Sequence, residues 1–349
     1  MRRRSSGKSE TCRASHGRAV VPQRMKIGII TPAPARSHYG NRITAVRWAK
    51  ILRRLGHHVT ISQQYGNEQL DLLIALHARR SYPSINRFRR QHRDLPIVVA
   101  LTGTDIYRDI HVSRRARQSL QLADRIVVLQ PRALHELDPA ERDKARVIYQ
   151  SVEAIRGPQK PRRESQRSSN DSFDVSVIGH LRPVKDPFRA ALAARLLPPW
   201  SQIRIMHIGG AMTKEMEKRA RREEQINARY RWLGELSRLS ALRALAQSQL
   251  CIISSRMEGG ANVLSEAIVS SIPVLASRID GNVGILGADY PGLFGVGDTR
   301  ELARLMTRAE TNPNFLRELR KRVANLAQLF DPVREERKWA ELISEMPRN

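Results

Sequence analysis

The stretch from Leu250 to Ser277 constrains this chain more than any other. Leu250-Cys251-Ile252-Ile253 is an unbroken apolar run, the pattern of a parallel strand buried on both faces. A polar loop follows and ends in Gly259-Gly260, then a helix starting near Ala261 or Asn262, then a second apolar run from Ile272 to Ala276. Strand, loop, helix and strand make a βαβ unit, which binds ligands where strand ends meet helix N-termini. The two glycines let backbone N–H groups approach an anion. Glu258 stands just before the helix and Glu266 a turn inside it, so two carboxylates able to accept hydroxyls flank that position. A ligand with both a diphosphate and hydroxyls is a nucleotide sugar. The plainer alternative is a surface loop and an amphipathic helix with two solvated glutamates.

The rest of the second half repeats the alternation. Phe173–Ile178 reads as a strand, and its loop carries Arg182 and Lys185 three residues apart before a helix. That pair could clamp phosphate oxygens, although arginine and lysine more often sit on solvated faces. Ile203–Ile208 is the next strand, followed by a charged helix over Thr213–Ala228. Trp232 and Leu233 fall in a loop, Ser240–Gln249 in a helix, and Leu293–Val296 in a last strand. Asp331–Met346 is an amphipathic helix with Trp339, Leu342 and Ile343 on one side.

The first half reads the same way. Strands are expected at Lys26–Thr31, Val59–Ile61, Asp71–Leu76, Ile97–Leu101, Ile126–Leu129 and Val147–Tyr149, with a helix over Thr44–Leu55 after a long loop, Pro32–Asn41. This is an α/β, open, parallel, doubly wound sheet. The loops after its strands offer Gly40, Asn41, Arg42, His77, Arg79, Arg80, Thr102, Thr104 and Asp105 at the edge where such sheets take ligands. Several cationic or potentially cationic groups on one edge suit an anionic second substrate. Each alone could be an ordinary loop or cap residue. No G-x-G-x-x-G follows the first strand, so this half is not a standard dinucleotide binder.

The 349 residues suffice for two domains. The expected division is a disordered basic extension over 1–24, an acceptor-side Rossmann-like domain over 25–152, a Pro-, Arg- and Ser-rich linker over 153–172, a nucleotide-sugar domain over 173–330, and a terminal helix over 331–346. The extension holds seven Lys and Arg residues against Glu10 alone. It has no apolar segment of the secretory kind, and Met25 directly before the first strand looks like a natural start. An arginine-rich transit peptide is the rival reading. The formal net charge of +27 admits nucleic acid, an anionic membrane or small anions as partners. No nucleic-acid-binding motif accompanies the arginines and no run is long enough to span a bilayer, so small-molecule substrates are expected. Cys12 and Cys251 imply no disulfide framework, which fits a cytoplasmic location.

The segment E-G-G-A-N-V-L-S-E, from Glu258 to Glu266, resembles the E-x7-E signature of the GT-B glycosyltransferases of family 4, the group 1 enzymes. The resemblance implies two Rossmann-like domains facing a cleft, with the C-terminal helix crossing back to the first domain. It also implies roles: Glu258 by the donor sugar, Glu266 on the nucleotide ribose, and Gly259, Gly260, Ala261 and Asn262 beside the diphosphate. Arg182 and Lys185 would neutralise the leaving diphosphate, and Trp232 and Leu233 would lie by the base. At finer grain, M-K-I-G-I-I-T-P-A, G-N-R-I-T-A-V-R-W-A, A-L-H-A-R-R-S and L-T-G-T-D-I-Y resemble segments of the selenosugar synthases of selenoneine biosynthesis. That resemblance implies transfer of a hexosyl group, N-acetylglucosamine being expected, from a UDP-sugar to selenophosphate. The acceptor loops do not by themselves specify selenium. Phosphate, thiophosphate or a sugar phosphate would suit them equally.

No cofactor and no metal are expected, since no Asp-x-Asp signature is present. Selenium is nucleophilic at neutral pH, so no strong general base is required, and no Asp–His base pair is evident. The rivals are an ordinary family 4 hexosyltransferase with a carbohydrate or sugar-phosphate acceptor, a UDP-sugar 2-epimerase, and a non-enzymatic nucleic-acid-binding protein.

Overall fold

The structure, a computed structural model, describes residues 24–37, 39–153 and 172–346. The expected disorder of 1–24 and the expected linker over 153–172 concern residues that, apart from Arg24, Glu153 and Ser172, lie outside the described ones.

The first domain holds strands β1 (Lys26–Ile30), β2 (His58–Ser62), β3 (Leu72–Leu76), β4 (Ile97–Leu101), β5 (Arg125–Val128) and β6 (Ala145–Val147). Its helices are α1 (Gly40–Arg54), α2 (Ala78–Gln91), α3 (Ile110–Val112), α4 (Arg114–Leu122) and α5 (Pro139–Lys144). The second domain holds β7 (Phe173–Ile178), β8 (Ile203–Ile208), β9 (Tyr230–Trp232), β10 (Leu250–Ile253), β11 (Val274–Ser277) and β12 (Leu293–Phe294). Between and after these strands run α6 (Arg189–Ala194), α7 (Lys214–Ile226), α8 (Arg238–Gln247), α9 (Asn262–Val269), α10 (Asp280–Leu286), α11 (Thr299–Thr311), α12 (Pro313–Asn325) and α13 (Pro332–Ser344).

Each domain is one parallel six-stranded sheet, in the orders β2-β1-β3-β4-β5-β6 and β12-β11-β10-β7-β8-β9. All five residues of β3 and of β4 are buried, as expected of strands covered on both faces. Leu73 and Ala75 pack toward α2 and α4, while Leu72, Ile74 and Leu76 pack toward α1 and α13. Alternate residues of one strand thus supply two separate cores.

Helix α13 completes the first domain's second layer. Trp339, Leu342 and Met346 join Trp48 and Leu52 of α1 in that core, and the Trp48 and Trp339 ring centroids lie 4.8 Å apart. Asp331 caps the helix by accepting from the Val333 N–H at 2.9 Å, with Pro332 at the first helical position. The C-terminal helix does cross back to the first domain.

Some local expectations need correction. The first helix begins at Gly40, not Thr44, so Gly40, Asn41 and Arg42 form its first turn rather than a loop. Its start was hidden because Tyr39 makes no side-chain cap. Trp232 ends strand β9 instead of sitting in a loop. Helices α11 and α12 were not singled out, although Asp298 and Asn312 cap them by accepting from Glu301 N at 2.8 Å and Phe315 N at 3.0 Å.

Candidate active site

The strand order of the second sheet reverses between β7 and β10, and such a switch point splays the following loops apart into a crevice. Here those loops carry the expected clamp and the first expected glutamate. After β7 the chain makes a tight turn at Pro183–Lys185, and Asp186 takes a left-handed backbone with φ 44°. The turn aims the Lys185 ammonium at Glu258, with which it forms an ion pair. Ser255 Oγ donates to the same Glu258 Oε1 at 2.7 Å. Glu258 is only 8 % exposed, and its Oε2 takes no hydrogen bond among the described residues. One oxygen is therefore fixed by the protein and the other is open to a ligand hydroxyl. Arg182 is exposed and has no ion pair among the described residues.

Helix α9 begins beside this pair. Its N-cap, Ala261, has no side chain to satisfy the first-turn N–H groups. Thr213 on α7 and Asp298 on α11 do supply such caps. Glu266 is buried on α9 and pairs through Oε1 with Arg238 Nη1 at 2.8 Å. Burial pushes its carboxyl up from the ordinary value, and the charges of Arg238 and Arg47 offset part of that rise. Its Oε2 also has no partner among the described residues. Trp232 is partly buried, its indole N–H donates to the Gly209 carbonyl at 2.8 Å, and Arg221 lies over its ring at 5.2 Å. Leu233 is 36 % exposed at the strand end.

The first domain forms the facing wall at close range. A Cβ on Gly259 would lie 2.7 Å from the Thr102 carbonyl carbon, and one on Gly260 would lie 2.9 Å from Leu129 Cβ. These glycines therefore also permit the domains to approach, a demand that the sequence reading did not foresee. Tyr39 meets His180 edge-on at 5.6 Å, and Arg132 pairs with Asp280 at 2.8 Å across the same interface. Gly40, at the start of α1, faces Asn262, with its Cβ position 3.7 Å from Asn262 Nδ2.

The expected acceptor residues separate into different environments. His77 is buried at the end of β3 with φ 73°, a conformation rare outside glycine and a mark of local strain. Its ring nitrogens lie 3.9 Å from Asp105 Oδ2 and 3.8 Å from Asp109 Oδ2, and Nδ1 has no hydrogen-bond partner. Burial lowers its pKa, so the imidazole is neutral at physiological pH and not one of the expected cations. Arg79 pairs with Asp109 at 2.8 Å, which occupies its charge. Arg42 and Arg80 have no ion pair among the described residues. Thr104 Oγ1 lies 3.4 Å from His77 Nε2 but does not cap the next turn. That loop is pinned instead by Asp105, which accepts from Gly103 N at 2.8 Å and Ala78 N at 3.1 Å. Thr102 Oγ1 is buried and unpartnered beside Gly259.

Sequence reading missed Ser255, Arg238, Arg47 and Asp109. Ser255 could have been found from its spacing of three residues to Glu258 across the loop. Arg238 and Arg47 carry no local signal, because each reaches Glu266 or Asn262 only through the tertiary fold.

Comparison with known proteins agrees with this layout. Residues 158–329 match the family model for glycosyl transferases group 1. The chain is 25 % identical to the Xenopus tropicalis glycosyltransferase 1 domain-containing protein 1, covering 86 % of this chain and 92 % of that protein. The crystal structure of Anabaena HepE in complex with UDP and glucose is 18 % identical, with a TM-score of 0.70 over 92 % of this chain and 100 % of that one. Sucrose-phosphate synthase from Thermosynechococcus elongatus is 16 % identical, with a TM-score of 0.73 over 92 % of this chain and 99 % of that one. These likenesses identify the fold as GT-B. No helix of the described residues is long and apolar enough to cross a membrane.

Proposed function

We propose that this chain transfers a hexosyl group from a UDP-sugar to selenophosphate, and the match of residues 158–329 to the family model for glycosyl transferases group 1 supports a transferase reading. The observation that carries the donor half is the pair of buried glutamates at the switch point. Each is fixed by a cation through one oxygen and open at the other. Glu266 holds a ribose hydroxyl and Glu258 a hydroxyl of the sugar. The diphosphate lies on the uncapped start of α9, near Gly259, Gly260, Ala261 and Asn262. The Anabaena relative's complex with UDP and glucose supports the choice of donor.

In the reaction the bond from the anomeric carbon to the diphosphate oxygen breaks, and its electron pair leaves with UDP. Negative charge grows on the leaving oxygen, and Arg182, Lys185 and the α9 N–H groups stabilise it. A selenium lone pair of selenophosphate forms the new C–Se bond. Hydrolysis of the Se–P bond then releases phosphate. Arg42 and Arg80, which have no ion pair among the described residues, receive the acceptor's charge. The likeness of the N-terminal segments to selenosugar synthases supports this acceptor.

A second reading has its own observation. Neutral, strained His77, with Asp105 and Asp109 near it and the unpartnered Thr102 hydroxyl nearby in the same wall, suits an acceptor that loses a proton, such as a sugar hydroxyl. The two readings part in one experiment. UDP-N-acetylglucosamine is supplied with selenophosphate, or with a panel of sugars and sugar phosphates, and the products are identified by mass. A selenium-containing hexose formed only with selenophosphate supports the first. An O-glycoside formed without selenium overturns it in favour of the second.

A further inference from the structure

Arg47 lies on α1 of the first domain, two turns in from the cleft end of that helix. Its Nη1 donates at 3.4 Å to Asn262 Oδ1, on the first residue of α9, and at 3.4 Å to the Ser151 carbonyl. Both bonds are long. Nε and Nη2 are buried, and among the described residues Nη2 has no partner while Nε has only the long ion pair to Glu335. The nearest carboxylate, Glu335 Oε2, is 3.4 Å from Nε. That carboxylate is already engaged. Its Oε1 accepts from the Trp48 indole at 2.8 Å, and its Oε2 accepts from Ser151 N at 2.8 Å. A guanidinium cannot shed its proton at ordinary pH, so a buried one with idle N–H groups is costly unless an anion completes it. Burial pulls the Arg47 pKa down, the charges of Glu335 and Glu266 offset part of that fall, and neighbouring Arg238 adds repulsion.

We propose that Arg47 is a donor-site residue supplied by the opposite domain, whose unpartnered Nη2 and weakly held Nη1 bind the diphosphate of the nucleotide sugar. Asn262 and Glu266 are four residues apart on α9, hence on one face of that helix, and that face is the one Arg47 meets. An anion at the start of α9 lies between Arg47 and the α9 N–H groups. The donor is then gripped from both domains, and binding it favours the closed cleft. This inference rests on reading Glu266 and α9 as the nucleotide site.

The test is calorimetric titration of UDP and of uridine into the wild-type, Arg47→Met, Arg47→Lys and Glu266→Ala proteins. Arg47→Met should weaken UDP about tenfold or more, the scale of a lost charge-assisted bond, and leave uridine unchanged. Arg47→Lys should recover part of the UDP affinity, since it keeps the charge and loses the fork. If Arg47→Met does not fold, Arg47→Lys alone still carries the comparison, with a loss for UDP and none for uridine. Equal losses for UDP and uridine, or no loss for either, overturn the proposal, because a merely structural arginine would not single out the phosphates. Glu266→Ala separates the two levels. Should it also leave UDP affinity unchanged, the nucleotide site itself is misassigned. Should it weaken both ligands while Arg47→Met weakens neither, only the role of Arg47 falls.

Discussion

In its proposed role as ribose acceptor Glu266 must be ionised, and its burial pushes the carboxyl above its ordinary value. Lowering the pH protonates it, so UDP affinity should fall on the acid side. Arg238 opposes that protonation from 2.8 Å, and Arg47 does so from the facing domain. Arg238→Gln therefore moves the loss of UDP binding to higher pH, which titrations between about pH 5 and pH 8 would record. An unchanged profile would mean that the pair does not govern binding. The cations of the two walls should separate by substrate. Arg182→Ala should lower the rate at saturating selenophosphate, because its contact strengthens as UDP departs. Arg42→Ala should instead raise the selenophosphate concentration needed and leave UDP affinity nearly intact. Two-substrate kinetics on each variant would check this. The reverse pattern would exchange the two half-sites between domains.

The loop–helix units carry the site, and their glycines are its tightest points. A Cβ on Gly281, in α10, would come within 1.9 Å of the Glu258 carbonyl oxygen. Gly281→Ala must push the Glu258 loop away, so turnover should fall sharply, with a stability cost of about 1–3 kcal/mol read from denaturant unfolding. Normal turnover in that variant would show that the loop position does not matter. The elements themselves were unevenly legible in the sequence. Strands β4, β7, β8 and β10 could be read to the residue because they are short apolar runs bounded by polar loops. The start of α1 was misjudged by four residues because Tyr39 makes no side-chain cap, and α9, at the proposed donor position, likewise starts without one. Where N–H groups are left for a ligand, the usual start signal is missing. Glu258, Glu266, Arg182 and Lys185 were singled out from their spacing together with the resemblance to group 1 glycosyltransferases. The pairing of Arg79 with Asp109, the neutral His77 and the cross-domain Arg47 could not be, since each depends on residues brought together only by folding.

At the scale of the molecule, the two sheets are tied by α13 and by the contact of the cleft walls. Trp339 is fully buried against Trp48, and Glu335 on the same helix accepts the Trp48 indole N–H. Trp339→Ala should destabilise the first domain by about 3–5 kcal/mol, the range for emptying a large buried aromatic site, and lower its unfolding midpoint. The charge of +27 looked ambiguous in the sequence. Part of it is internally balanced, as where Glu345 takes both Arg125 at 3.0 Å and Arg146 at 2.7 Å. The central claim is that chemistry occurs beside the Lys185–Glu258 pair. Its most direct test is the rate of UDP release from UDP-N-acetylglucosamine, with selenophosphate present, by the wild-type and Glu258→Gln proteins. The account predicts a fall of roughly 100-fold in the variant, the scale of one lost electrostatic contact in a transition state, with UDP affinity little changed. Equal rates from the two proteins would contradict it.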